Sequence, residues 1–186
     1  MASLDDTGAG LKRYFGNFSF RVILKGSNVK MSMKTNAMRI LDKDKIPYST
    51  LSYDANDGKI DGMAVAEKVG RPPESVFKTL VTHHEQNLYV FVIPVEKELD
   101  LKKAAKAAGE KKLEMLHVKD LQKWTGYIRG GCSPIGMKKN YPTFIDASAE
   151  HLPEIVVSAG KIGMQIVMDP HQLANVTQAQ FAELTK

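Results

Sequence analysis

Along the chain the apolar residues change period, and each change marks an element. Met38, Ile40, Leu41 and Ile46 fall near helical spacing, behind Thr35 or Asn36 as caps and ahead of Pro47, so a helix is predicted over 36–46. A short strand at 48–53 and turn chemistry in Asp54-Ala55-Asn56-Asp57-Gly58 follow, then a helix over Gly62–Val69 closed by Gly70 and Arg71-Pro72-Pro73. Residues 75–95 read SVFKTLVTHHEQNLYVFVIPV, two β-rich runs around the polar break His83-His84-Glu85-Gln86-Asn87, which predicts a β-hairpin. Alternate strand residues share a face, so Val76, Lys78, Leu80 and Thr82 point one way and Phe77, Thr79 and Val81 the other. Lys78 therefore shares its face with apolar neighbours. Two readings of this pattern stand: the buried ammonium has a partner that gives it a task, or the strand is an edge and Lys78 snorkels to water.

Downstream, Asp100 caps an alanine-rich helix, LKKAAKAAG, that stops at Gly109, and a second short helix is predicted over 118–124, ending at Gly126. Residues 125–136, TGYIRGGCSPIG, are too rich in glycine and proline for a regular element and predict a shaped loop. Strands are expected at Thr143–Asp146, 154–158 and Met164–Met168, with a tight link over 158–163. Asp169-Pro170 opens a C-terminal helical region with Phe181 and Leu184 facing inward. Residues 1–32 read differently: the apolar run at 18–24 is broken by Arg21 and lacks a small-residue cleavage pattern, which argues against a signal peptide. They are expected to be an added extension, from cloning or upstream reading, loosely ordered and dispensable; an extra strand at 18–24 is the alternative.

The length, 186 residues, suits one domain with a sizeable core, here residues 33–186. A single cysteine, Cys132, excludes an intramolecular disulfide and fits a reducing cytosol. No apolar run approaches membrane-spanning length. The net charge of +5 is unevenly spread, with ten basic and three acidic residues in 101–140. Such a block is either the footprint of a polyanion or a solvated lysine face.

Familiar catalytic and metal patterns are absent. The five histidines show no metal-ligand spacing, and His83-His84 read as turn residues. No phosphate-loop, dinucleotide-binding or nucleophile-elbow motif occurs. Two glycine loops remain, Gly130-Gly131-Cys132-Ser133-Pro134-Ile135-Gly136 and Ser158-Ala159-Gly160-Lys161-Ile162-Gly163. Glycines let backbone N–H groups approach a phosphate or oxyanion, although a glycine pair is as often a strained turn.

Several segments, taken in order, carry a resemblance. Lys34-Thr35-Asn36-Ala37-Met38-Arg39, Phe77-Lys78-Thr79-Leu80, Leu99-Asp100-Leu101-Lys102-Lys103-Ala104, Thr125-Gly126-Tyr127, Gly130-Gly131 with Ser133-Pro134 and Gly136, and Val157-Ser158 with Gly160 resemble the YbaK family. Its members are free-standing aminoacyl-tRNA deacylases related to the editing domain inserted in bacterial prolyl-tRNA synthetases. The resemblance runs from about Met33 to near the C-terminus and leaves residues 1–32 outside.

What it implies is a compact α/β (α+β) domain with a mixed, largely antiparallel curved sheet and flanking helices. It implies a cytoplasmic enzyme without cofactor or metal, acting on tRNA(Pro) charged with a non-cognate amino acid, typically Cys-tRNA(Pro), with prolyl-tRNA synthetase as a further partner. The family's lysine lands on Lys78 and its pocket glycines on Gly130 and Gly131; Tyr53, Thr79, Ser133, Ser158 and Gly160 fall at substrate-binding positions. Lys102, Lys103, Lys138 and Lys139, in the basic block, are the expected tRNA-docking residues. Ala159 stands where a second glycine is usual, and Gln165 where an acidic residue often lies, which opens the question of substrate choice.

An aminoacyl ester is already activated, so holding it and stabilising a developing oxyanion can suffice without a triad. A cysteinyl substrate can attack its own ester through its thiol, as proposed for the family. Cys132 is then expected to pack rather than to act as a nucleophile. Two other classes stay open: a module that binds tRNA or a synthetase without chemistry, and an enzyme in which Lys78 forms a Schiff base with a carbonyl metabolite.

Overall fold

The structure is a computed structural model and describes residues 34–186. The expected extension at 1–32 and the alternative strand at 18–24 lie outside the described residues. Helix α1, Asn36–Lys43, starts at Thr35, whose side chain accepts the Met38 N–H, and buries Ala37, Met38 and Leu41. It stops earlier than the predicted 46 because Lys45 turns to φ 55°, and the Ile46 N–H closes back on the Leu41 carbonyl at 2.9 Å. Strand β1, Ser49–Ser52, leads through the turn at 54–58 to α2, Gly62–Val69, capped by Asp61 and closed by Gly70 in the left-handed region.

The hairpin is β2, Phe77–His84, with β3, Asn87–Pro94, paired antiparallel from Phe77 opposite Pro94 to His84 opposite Asn87. The predicted five-residue break shrinks to Glu85 and Gln86, with Glu85 at φ 52°. His83 and His84 are strand residues, not turn residues as expected, since the pairing register runs through both. Helix α3, Leu101–Ala108, is capped by Asp100 and ended by Gly109 at φ 70°. A two-residue strand that the periodicity did not show, β4 at Glu114–Met115, pairs with Thr82 and His83. Helix α4, Val118–Thr125, ends at Gly126.

Strand β5, Thr143–Asp146, lies parallel to β3, and β6, Ile155–Lys161, pairs antiparallel with β7, Met164–Met168. Strand β6 continues past the expected end at Ser158, through a register shift between Ser158 and Lys161. The C-terminal expectation needs correction: α5, Pro170–Thr177, ends at Gln178 with φ 54°, and Phe181 belongs to β8, Gln180–Ala182, parallel to β5. Leu184 is buried as expected, but beyond the last strand rather than on a helix.

These strands form two sheets, ordered β1-β7-β6 and β4-β2-β3-β5-β8. A parallel bridge between Val76 and Val156 joins them where β2 begins. The fold is therefore the expected mixed α/β domain, with its sheet divided in two. On one face of the larger sheet, Tyr89, Phe91, Ile93 and Phe144 pack with Leu80 against Ala104 and Ala105 of α3 and against Leu184. Phe77, Val92 and Ile145 belong to a second core with α1 and with Val157 and Ile166 of the smaller sheet. Each fully buried aliphatic or aromatic side chain here contributes roughly 1.5–3 kcal/mol. Among the described residues no helix is long and apolar enough to cross a membrane.

Asp146, 5% exposed, fastens the C-terminal segment to β5. Its Oδ1 accepts the Ser148 N–H at 3.1 Å and hydroxyl at 2.6 Å, and its Oδ2 accepts the Leu184 N–H at 3.1 Å. Asp146→Ala orphans that buried N–H and should lower unfolding free energy by on the order of 3 kcal/mol in urea titration. A loss below about 1 kcal/mol would mean that Leu184 is held by apolar packing alone.

Candidate active site

Strand β4 covers the free edge of β2 only at Thr82 and His83, so the edge from Phe77 to Val81 is left without a paired strand. Backbone groups of a strand point alternately to its two neighbours, and the Val81 carbonyl, turned away from β3, accepts the Leu116 N–H at 3.0 Å. By that alternation Thr79 presents its N–H and C=O at the open edge. A cavity of ≈ 440 Å³ lies there, bounded by residues 76–81, the head of α2 from Ile60 to Met63, Val118 and Leu121 of α4, the loop residues Arg129, Gly130 and Cys132, and Ser158 and Gln165.

Lys78 is half-buried on this wall, and its Nζ donates to the Val95 carbonyl at 3.1 Å. No carboxylate lies within ion-pair distance among the described residues. Burial lowers its pKa from the ordinary 10.5, and the Glu98 carboxylate opposes that shift from beyond contact. Gly62 allows α2 to close on this spot, since a Cβ there would come within 2.5 Å of the Val95 side chain. Both readings of Lys78 meet here: the strand is an edge over this stretch, and the ammonium lines a cavity.

The loop at 129–132 reaches the cavity through a turn in which the Gly131 N–H donates to the Ile128 carbonyl at 3.0 Å. Of the two pocket glycines, Gly131 has thus spent its N–H, while the Gly130 N–H has no acceptor among the described residues. Gly131 instead allows a close approach, because a Cβ would sit 3.1 Å from the Ile162 nitrogen, a tight contact with backbone. Gly160 has a similar reason, with φ 91° and a Cβ position 2.8 Å from the Tyr127 ring.

The expected residues thus divide. Lys78, Thr79, Gly130 and Ser158 surround one cavity; Tyr53, Ser133, Gly131 and Gly160 are not among its lining residues. Ser133 is fully buried and its hydroxyl accepts the Ile135 N–H at 3.2 Å, a role in shaping the loop. The Tyr53 hydroxyl is buried without a hydrogen-bond partner among the described residues, and its ring has the Lys68 ammonium 5.8 Å from its centroid. Cys132 packs with Val81, Val90 and Tyr127, and burial pushes its thiol up to about 12, so it stays protonated near neutrality.

Of the expected docking lysines, none lines the cavity. Lys102 and Lys103 sit on α3, where the Lys103 Nζ donates to the Thr185 carbonyl at 2.7 Å. Lys138 and Lys139 are exposed, and the Lys138 Nζ donates to the Lys123 carbonyl on α4, the helix that walls the cavity. Sequence reasoning missed Arg129 and the exposed Met63, Met115 and Val118 at the cavity. Their signal was weak: apolar residues at element ends do not perturb periodicity. Among the described residues no group of three or more His, Cys, Asp or Glu side chains is placed to hold a metal ion.

A family model for an aminoacyl-tRNA editing domain matches residues 61–176. The chain is 50% identical over 157 residues to EbsC of Enterococcus faecalis, described as a candidate Cys-tRNA(Pro)/Cys-tRNA(Cys) deacylase, covering 84% of this chain and 96% of that one. It is 24% identical over 135 residues to the proline–tRNA ligase of Burkholderia multivorans, covering 70% of this chain but 23% of the ligase. A crystal structure described as a candidate trans-editing enzyme for prolyl-tRNA synthetase superposes with a TM-score of 0.72 at 24% identity, covering 83% of this chain and 99% of the other.

Lys78→Met keeps most of the side-chain volume and removes the desolvated charge, so its melting temperature at pH 7 should equal or exceed that of the parent. A lysine whose folded pKa is lowered costs stability fully at pH below that pKa, and the cost fades as pH rises towards 10.5. The advantage of Lys78→Met should therefore shrink between pH 7 and 10 in thermal unfolding. A less stable variant at pH 7 would show that Lys78 is a structural lysine.

Proposed function

The chain belongs to the aminoacyl-tRNA editing domain family and is an aminoacyl-tRNA deacylase, and from that premise we propose that it removes cysteine from mischarged Cys-tRNA(Pro) in trans. The observation that carries the site assignment is Lys78, a half-buried ammonium lining the cavity with a single carbonyl as its hydrogen-bond acceptor. A phosphate or ester carbonyl of the terminal aminoacyl-adenosine supplies the further acceptor it can take, since an ammonium has three donors. The Gly130 N–H and the Thr79 edge N–H, on residues that line the same cavity, would add neutral donors.

No protein nucleophile is required. The substrate's thiol loses its proton and its sulfur attacks the ester carbonyl carbon. The carbon–oxygen bond to the ribose then breaks, the ribose hydroxyl takes up a proton, and a cyclic thioester leaves for water to open. The protein's part is to hold the acyl group in attack geometry and to stabilise the oxyanion. Cys132, buried and protonated, has no part in this chemistry. The setting is the cytoplasm, where charged tRNA is made, and a synthetase partner would present the tRNA.

A deacylation panel over Cys-, Ala- and Ser-charged tRNA(Pro), with and without prolyl-tRNA synthetase, tests the reading. Cys-tRNA(Pro) should be hydrolysed fastest and Lys78→Met should lose at least about 100-fold in rate, the scale of a lost oxyanion donor. Absence of deacylation by the full chain with and without the synthetase would leave a tRNA-binding module in its place.

For docking, the basic residues beside α4 are better placed than those on α3, because α4 itself walls the cavity. Lys119→Glu with Lys139→Glu should raise KM, leave single-turnover chemistry nearly unchanged and flatten the log–log salt dependence by about 2. An unchanged slope would move the docking surface to α3 with Lys102 and Lys103.

A further inference from the structure

Gln165 lies on β7 directly opposite Ser158 of β6, and both side chains line the cavity. Opposed residues of neighbouring strands share a face with Cβ atoms about 5 Å apart, so the pair forms a polar floor. Gln165 is 5% exposed, and its carboxamide makes no hydrogen bond with any described residue. Its oxygen and nitrogen are nonetheless not sealed: among the described residues the sealed side-chain atoms without partners are the hydroxyls of Tyr53, Thr79 and Thr82. The amide therefore opens onto the cavity. Ser158 Oγ accepts the Gly160 N–H at 3.2 Å, which leaves its own O–H to donate.

The charged and titratable groups around the cavity are Lys78 on β2, Arg129 and Cys132 in the loop and Asp61 ahead of α2. Two are cations, Cys132 is a protonated thiol, and Asp61 is exposed and spends Oδ1 on the Ala64 N–H at 3.0 Å. The floor thus holds no carboxylate for the α-amino group that every aminoacyl ester carries. The amide, without a partner among the described residues and open to the cavity, has donors and an acceptor to spare for a ligand there.

We propose that Gln165 is a specificity-determining residue whose carboxamide oxygen accepts a hydrogen bond from the α-amino group of the aminoacyl ester, read by an amide dipole rather than by an ion pair. The proposal rests on the deacylase reading above. Its probes are a non-hydrolysable 3′-cysteinylamido-adenosine and the same compound without the α-amino group, titrated calorimetrically into the full-length protein at pH 6.5, below the ordinary α-amino pKa of about 7.7–8.0.

The parent should prefer the amino form by about three- to tenfold, the scale of one net hydrogen bond. Gln165→Leu should abolish the preference, and Gln165→Glu should enlarge it about tenfold further through a charge-assisted bond. Gln165→Leu keeping the parent's preference, or Gln165→Glu failing to enlarge it, would overturn the assignment. Should the leucine variant melt at lower temperature, the glutamate variant decides. A parent that binds neither compound and deacylates no Cys-tRNA(Pro) would sink the deacylase reading and this proposal with it, whereas a binding, active parent with an indifferent Gln165→Leu sinks this proposal alone.

Discussion

The structure turns on an ammonium that its surroundings do not neutralise. Lys78 occupies a strand position between Val76 and Leu80, opposite Ile93, and the protein offers it one carbonyl and a remote carboxylate. Replacing bulk water around a charge with so little is costly, and an uncharged side chain of similar shape would remove the cost. The neighbouring elements hold the arrangement in place: Gly62 brings α2 against Val95, and Val95 in turn presents the carbonyl that fixes the lysine head. An electrostatic demand is thus built into a strand that is paired with β3 along its whole length and open on its other edge from Phe77 to Val81.

The glycine loops serve this geometry in an unexpected way. Gly131 and Gly160 do not offer donors to a ligand so much as permit close packing: the loop at 129–132 lies against the β6–β7 turn backbone, and the bulge of β6 lies against the Tyr127 ring. Tyr127 fastens the loop again through its hydroxyl, which donates to the Ile135 carbonyl at 2.6 Å. Gly130, left with an uncommitted N–H among the described residues, lines the cavity at φ 82°, with the Ile60 side chain where a Cβ would sit.

Much of this was legible in the chain because local chemistry and tertiary context agreed. Asp100 and Asp169 cap the helices they were expected to open, and the alternation of β2 put Lys78 on the face where it is found. The failures share a cause. Lys45, Glu85 and Gln178 take positive φ without being glycine, so the end of α1, the tightness of the hairpin turn and the end of α5 carried no local mark. Strands β4 and β8 are two and three residues long, set by their neighbours rather than by periodicity. Site membership was harder still: Tyr53, Ser133 and Gly160 stand near the right segments, yet which way a loop residue faces depends on packing that spacing cannot encode.

The shortness of β4 has a functional sense of its own. A strand paired along the whole of β2 would satisfy the Thr79 backbone and fill the cavity with side chains, removing the donors and the space together. An open edge is ordinarily a liability, since it invites pairing with another chain. Here it is shielded by α4, the head of α2 and the loop at 129–132, and it carries a lysine, a residue that opposes edge-to-edge association. On the function proposed above, the side chain that guards the edge would also meet a substrate oxygen, so that one unfavourable charge would answer both the aggregation hazard of the open edge and the need for an electrostatic hold on the ester.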